Sequence, residues 1–262
     1  MPREAGRVLL VGAGPGAADL LTVRALRAVE TAQALLYDAL VCDEVVALAP
    51  RACLKIRAGK RSGKASMAQA EINQLMLTLA RRGLRVVRLK GGDSSVFGRS
   101  GEEAAFLRER GVAVEVVPGI TAASAAAAEF GFPLTHRGGA ARVVLATARR
   151  DGGGFAGAEL EALADPATTA VLYMGREVAA AASASLIRAG RSPATPVLVV
   201  ENAGRPGARA VRTTLDALAP AAGDRDGPTL IVIGEVAALA KSPALVDLRP
   251  FEEGVAIAQL AV

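Results

Sequence analysis

At 262 residues the chain is long enough for one large domain or two of about 130 residues each, near the usual domain size. Apolar residues make up 52% of it, but alanine supplies most of the excess and no apolar run approaches the roughly 18 residues of a spanning helix, which excludes a helical membrane protein. The formal net charge of +5 comes with aromatics at only 3%, so scattered arginines without rings to stack bases argue against nucleic acid and favour an anionic small molecule.

Cys42, Cys53 and the single His136 make no zinc-ligand spacing. The opening MPREAGRVLLVGAG has no apolar signal core before a cleavage site. A reduced, cytoplasmic protein without a metal is expected.

Residues 7–11 read as a first strand. VGAGPGAADLLT is then a glycine-rich turn entering a helix that runs from about 20 or 22 to 32, with Leu21, Ala25, Leu26 and Val29 at helical spacing. A strand at 34–37 ends in Asp38. Gly12, Gly14 and Ala17 satisfy G-x-G-x-x-G/A, and Asp38 lies about where a dinucleotide fold places its ribose-binding acid. A dinucleotide-binding oxidoreductase is therefore one reading, weakened by Pro15, which removes a backbone donor that a pyrophosphate would use.

A short strand at 54–56 runs into RAGKRSGK, whose Lys60, Arg61 and Lys64 cluster without the hydroxyl a P-loop places on magnesium; a solvated loop is the plain alternative. Ile72, Leu75, Met76 and Leu79 place a helix over 66–82, with Gly83 as a left-handed cap. Val86, Val87 and Leu89 then form a short buried strand that stops at Gly91 and Gly92. That presents Asp93 just past the strand's carboxyl end, where open α/β sheets bind ligands. An ordinary strand-to-helix turn with an exposed aspartate is the alternative. A helix at 101–110, a strand at 112–117, a PGIT turn at 118–121 and an alanine-rich helix to 129 follow, with Thr121 a candidate cap.

Between 132 and 139 the periodicity breaks and PLTHRGG has linker composition. This divides the chain into an N-terminal α/β domain, 1–134, and a C-terminal α/β domain, 139–245. Strands are expected in the latter at 142–147, 168–174, 197–201, 208–213 and 229–234, with a helix at 177–189. The interval 194–214 has no room for a crossover helix, so some pairing is antiparallel. Residues 149–157 read as a polar, glycine-rich excursion.

Familiar catalytic sets are absent. His136 is the only histidine available to a Ser-His-Asp triad, no G-x-S-x-G elbow occurs, and carboxylates do not cluster for magnesium. What remains is a set of glycine-lined turns, VGAGPG, KGGD, PGIT and YMG, each ending a predicted strand.

Taken in order, VGAGPGAADLLT, YDALV, GKRSGK, VVRLKGGDSSVFGR, VVPGITAA, PLTHRG, LYMG, PATPVLVVENA and LIVIGEV resemble the motifs of the tetrapyrrole methylases, over nearly everything from Val8 to about Leu239. YDALV, GKRSGK and PLTHRG resemble the members that act on uroporphyrinogen III. The resemblance implies two α/β domains of the tetrapyrrole methylase type with the cofactor cleft between them, a fold distinct from the dinucleotide type. It also implies S-adenosylmethionine-dependent C-methylation, twice on uroporphyrinogen III to give precorrin-2 for sirohaem or cobalamin synthesis, with S-adenosylhomocysteine as by-product, in a homodimer. A related precorrin methyltransferase and a catalytically silent cofactor-binding protein are alternatives.

Carried over position by position, the resemblance implies cofactor contacts at Pro15, Gly91, Gly92, Asp93, Val96, Thr121, Ala122, Met174 and Ala203. It implies Asp38 as proton acceptor and Lys60 as proton donor. Arg61, Lys64, Arg99 and Arg137 are candidates to meet carboxylates of the anionic tetrapyrrole, arginine with bidentate geometry. These roles suit the chemistry, because transfer from a sulfonium to carbon demands mainly alignment and a proton must then leave the ring system. The chain departs from the family where DPFVFGRG is common and Asp93-Ser94-Ser95-Val96-Phe97-Gly98-Arg99-Ser100 stands, and where TGH is common and Thr147-Ala148-Arg149 stands. Ala203 occupies a frequent glycine position. The first two bear on substrate fit, regulation or the order of methylations, not on cofactor binding.

Overall fold

β1 (Val8–Gly12) is buried at every position because helices cover both faces of its sheet, the arrangement that parallel sheets require. The computed structural model describes residues 6–59, 67–147, 155, 157–223, 226–242 and 244–248. Lys60, Arg61 and Lys64 lie outside the described residues, as do the Ala148-Arg149 departure and most of the 149–157 excursion. The chain divides into two units, Met1–Glu129 with Glu201–Ala208 and Asp226–Leu230, and Phe130–Val200 with Arg209–Arg225 and Ile231–Val262. Two short segments from late in the chain thus belong to the first unit.

In the first unit β3 (Leu54–Arg57), β2 (Ala34–Tyr37), β4 (Val86–Lys90), β1 and β5 (Val114–Val117) form a five-stranded sheet in the order β3-β2-β4-β1-β5. Every neighbouring pair is parallel, so all carboxyl ends share one edge. Gly12 pairs with Lys90, Val11 with Val117 and Tyr37 with Leu89, which brings the turns after β1, β4, β5 and β2 to the same level. Side chains alternate across the strands. Leu9, Val11, Leu35, Val87 and Leu89 pack against α1 (Val23–Glu30) and α2 (Asp43–Ala47), whereas Val8, Leu10, Leu36 and Val86 pack against α3 (Gln69–Arg81) and α4 (Ser100–Arg108). α5 (Ala122–Glu129) follows the PGIT turn.

This order overturns the dinucleotide reading. A dinucleotide fold sets its second strand beside its first, but here β4 separates β2 from β1. Asp38, at the end of β2, therefore lies across β4 from the VGAGPG turn. The first helix is also shorter than the sequence pattern implies. A 3-10 turn at Ala18–Leu20 precedes it, and Thr22 caps it, its hydroxyl accepting from the Ala25 amide at 3.1 Å. Gly83 and Gly111 take φ +82 and +76, the left-handed ends expected of α3 and α4.

The second unit holds a mixed six-stranded sheet of order β11-β9-β8-β10-β7-β6, from β6 (Arg142–Thr147), β7 (Thr168–Tyr173), β8 (Pro196–Glu201), β9 (Arg209–Thr214), β10 (Thr229–Ile233) and β11 (Leu245–Asp247). β8 and β9 are sheet neighbours, as their short connection requires, while β6 pairs with β7, and β9 with β11, in parallel. Leu163 of α6 (Gly157–Ala164), Leu186 of α7 (Ala179–Arg188) and Leu218 of α8 (Leu218–Ala222) pack into its core.

Candidate active site

The turn after β4 is built from two glycines with different reasons to be glycine. A Cβ on Gly91 would stand 2.7 Å from Cβ of Leu40. Gly92 has room for one, its nearest neighbours lying 4.0 Å away, but its φ of +69 is costly for a side chain. Gly92 and Gly14 exchange two backbone hydrogen bonds, Gly92 N–H to Gly14 O at 2.7 Å and Gly14 N–H to Gly92 O at 3.1 Å, which stitches KGGD to VGAGPG. PGIT closes on the same point. A Cβ on Gly119 would fall 2.3 Å from the Gly92 carbonyl oxygen, and one on Gly12 would fall 2.6 Å from the Gly119 nitrogen. Main chain meets main chain at the three turns, and at Gly12 and Gly119 no Cβ fits between them.

Asp93 fastens two of these turns. Its Oδ2 accepts from the Gly119 amide at 2.9 Å, and its Oδ1 accepts from the Ser95 amide at 2.7 Å and the Ser95 hydroxyl at 2.5 Å. Burial pushes the carboxyl's pKa up, but these hydrogen bonds together outweigh it and hold Asp93 below the usual carboxylate range. Ser95, one of the departures from the family pattern, thus acts on Asp93 through its hydroxyl; Ser94 beside it is fully buried.

Beside these turns the first unit encloses an open cavity of about 970 Å³, lined in part by Asp19, Asp93, Val96, Thr121, Glu129 and Arg205. That is at the upper end of the size range of small-molecule sites. The late segment 201–208 forms part of its wall. Ala17 N–H donates to Gly204 O at 2.8 Å, Gly204 N–H to Oε2 of Glu129 at 2.8 Å, and Nε of Arg205 to Pro15 O at 3.0 Å. A terminal guanidinium nitrogen of Arg205 also donates to Leu40 O.

Of the cofactor contacts that the resemblance implies, Asp93, Val96 and Thr121 line the cavity. Pro15, Gly91 and Gly92 form its turns, Ala122 opens α5, and Ala203 is buried next to Gly204. Met174 belongs to the second unit, where it takes φ +54 and is 48% exposed. Asp38 is half-buried, its Oδ1 accepting from the Leu40 amide at 2.8 Å and its Oδ2 from the Gly91 amide at 3.2 Å. Gly59, which precedes Lys60, lies against this turn, since a Cβ on it would fall 2.2 Å from the Ala39 nitrogen. Arg99 is exposed and bound two-pronged to Glu102 at 2.9 and 2.6 Å. Arg137 sits in an exposed turn of the second unit, at 136–140.

Sequence reasoning missed Arg205 and Glu129, and it missed a buried hub under the site. Glu103 takes Nζ of Lys90 on Oε2 at 2.8 Å, and Nε of Arg88 and Nε2 of Gln69 on Oε1 at 3.2 and 3.0 Å, with all three charged groups buried. Burial pushes the Lys90 ammonium's pKa down, Glu103 pulls against the fall and Arg88 adds to it. Two cations at alternate positions of an otherwise apolar strand were the available signal, because both face the same side. Among the described residues no three side chains form a candidate metal site.

Residues 7–219 match the family of Tetrapyrrole (Corrin/Porphyrin) Methylases. The siroheme synthase of Tolumonas auensis is 47% identical over 237 residues, 90% of this chain and 50% of its own length; the chain spans about half the length of the curated relatives it matches. Among solved structures, uroporphyrin-III C-methyl transferase from Thermus thermophilus, complexed with S-adenyl homocysteine, is 43% identical with a TM-score of 0.76, covering 89% of this chain and 100% of that one. A cobalt precorrin-4 methyltransferase of cobalamin biosynthesis is 31% identical with a TM-score of 0.79, covering 88% of this chain and 95% of its own.

Proposed function

Because the chain belongs to the tetrapyrrole (corrin/porphyrin) methylases, we propose that it is a C-methyltransferase that uses S-adenosylmethionine twice on uroporphyrinogen III, giving precorrin-2 and S-adenosylhomocysteine. The observation that carries this reading is the meeting of three glycine turns beside the cavity. At Gly12 and Gly119 a Cβ would strike main chain, so the turns close directly on one another, with the Gly119 backbone reaching the cavity wall and Asp93 beside it as an anion. Such a surface fits a ligand that needs close backbone approach and carries hydroxyl and ammonium donors.

On this reading Pro15, Gly91, Gly92, Asp93, Val96, Thr121, Ala122, Met174 and Ala203 hold the cofactor. When bound, S-adenosylmethionine supplies the methyl group as a sulfonium leaving as a neutral thioether. The chain's contribution is chiefly orientation, which can account for much of such a reaction's acceleration. Asp38 accepts the proton that leaves the macrocycle, its carboxylate aimed by the Leu40 and Gly91 amides. Lys60 donates a proton on the other side of the exchange. Arg61, Lys64, Arg99 and Arg137 receive substrate carboxylates, Arg99 by exchanging its Glu102 partner. A homodimer in the cytoplasm completes the reading, and light scattering tests the dimer.

Calorimetric titration with S-adenosylhomocysteine and, separately, with NAD(H), followed by an assay on uroporphyrinogen III with methyl-labelled donor, tests the whole. We expect binding of S-adenosylhomocysteine alone and two labelled methyl groups per macrocycle. A protein that binds no S-adenosylhomocysteine, or that transfers no methyl group to uroporphyrinogen III, overturns the assignment.

A further inference from the structure

Arg205 lies in a stretch that no motif above includes, yet it is the side chain through which the late segment grips two separate turns. Its Nε donates to Pro15 O of the VGAGPG turn at 3.0 Å, and a terminal nitrogen donates to Leu40 O. Leu40 in turn donates its amide to Oδ1 of Asp38. One planar fork therefore spans from the cofactor turn to the residue whose amide aims Asp38, and it does so at the wall of the cavity. The segment that carries Arg205 is itself held, by Gly204 N–H on Glu129 and by Gly204 O on Ala17 N–H. Gly204 also admits no side chain there, since at φ +72 a Cβ would fall 2.5 Å from Cγ of Pro15.

We propose that Arg205 is a positioning residue for the methyl transfer, setting the VGAGPG turn for the donor and the Asp38 turn for proton removal with a single guanidinium. The inference rests on the functional reading above. Lysine cannot replace it, because an ammonium is a compact point donor whereas two carbonyls on different turns need a rigid fork. Removing one charge-assisted hydrogen bond from each turn acts on both functions together, unlike a change at Asp38, which acts on the chemical step alone.

The test measures S-adenosylhomocysteine affinity, KM for S-adenosylmethionine, single-turnover rate and Tm for the parent, Arg205→Lys, Arg205→Ala, Asp38→Asn and the Asp38→Asn/Arg205→Lys double variant. Arg205→Lys is expected to stay folded, to bind S-adenosylhomocysteine about ten- to a hundredfold more weakly and to slow the single turnover by a similar factor. In the double variant the rate loss should fall short of the product of the two single losses, because both act on one turn. Parent-like affinity and rate in Arg205→Lys and Arg205→Ala overturn the proposal, and so does a rate loss in the double variant equal to that product. A parent that binds no S-adenosylhomocysteine overturns instead the functional reading on which it rests.

Discussion

The turns after β2 and β4 each present an aspartate at the same sheet edge, and the two carboxylates are engaged differently. Asp93 accepts three hydrogen bonds, two of them on one oxygen, and reaches across to Gly119 of another turn. Asp38 accepts one hydrogen bond on each oxygen from the described residues, one from its own turn and one from Gly91. A carboxylate offers about four acceptor positions, so among the described residues two are taken on Asp38, one on each oxygen, against three on Asp93. The first arrangement fixes an anion; the second holds a carboxylate by two amides alone among the described residues. On the proposed reading, binding falls to one aspartate and proton transfer to the other because of their neighbours, not their position at a strand end.

Breaking the backbone contact under Asp93 should have the largest effect. Gly119→Val places its Cβ against the Gly92 carbonyl, where both partners are main chain, so a loss of about 3 kcal/mol of stability is expected, with S-adenosylhomocysteine binding lost in calorimetry. Gly92→Val has room for its Cβ and faces chiefly the φ penalty of ~1–2 kcal/mol; it should stay folded and still lose binding. Equal melting of the two variants would refute the distinction drawn between these glycines.

At the other carboxylate, Asp38→Asn should lower the single-turnover methylation rate by about 10² to 10⁴-fold while S-adenosylhomocysteine affinity stays close to the parent's. A parent rate in that variant ends the proton-acceptor role. Asp93→Asn should do the reverse, weakening S-adenosylhomocysteine about tenfold or more through the lost charge-assisted hydrogen bonds, with the chemical step less affected once the cofactor is saturating.

The pH dependence separates the two further. Asp93 has a folded pKa below its ordinary 3.8, so its contribution to stability is complete above that value and is lost as pH falls through the folded one. Melting temperatures measured below about pH 4 should therefore fall less steeply in Asp93→Asn than in the parent. The smallest contrast lies in the basic loop: Lys60→Ala should slow turnover, whereas Lys64→Ala should mainly raise KM. Negligible effects from both would return the loop to an ordinary solvated one.

β1, β4, β5, β7 and β10 were legible because each is short, largely apolar and followed at once or within two residues by glycine, and β1, β2, β4 and β5 fall within two residues of their expected bounds, whereas β11 (Leu245–Asp247) was not anticipated. α2 was not, since five residues carrying Val45 and Val46 inward are too few to show a period. Nor was α6, whose start adjoins a stretch that reads as a polar excursion. In the site, KGGD and PGIT announced themselves through glycine, whereas Arg205 and Glu129 gave no local signal. Their partners lie 75 to 190 positions away, and nothing in a single stretch of sequence specifies a hydrogen bond to a distant carbonyl. The sheet order was equally hidden: the same βαβ opening serves a dinucleotide fold, and only the insertion of β4 between β2 and β1 tells them apart.

The reach of Arg205 has a consequence for the making of the protein. Glu129 meets Gly204 across 75 positions, and Arg205 meets Leu40 and Pro15 across 165 and 190. A ribosome adding 5–20 residues per second needs roughly 4 to 15 s to go from Glu129 to Gly204. For that interval the segment that forms the cavity wall does not yet exist, and long-range closures of this kind are also the slow ones to form. The ability to bind is thus delayed until most of the chain exists, and the tie that completes the binding site in space is among the last parts of the first unit to be synthesised.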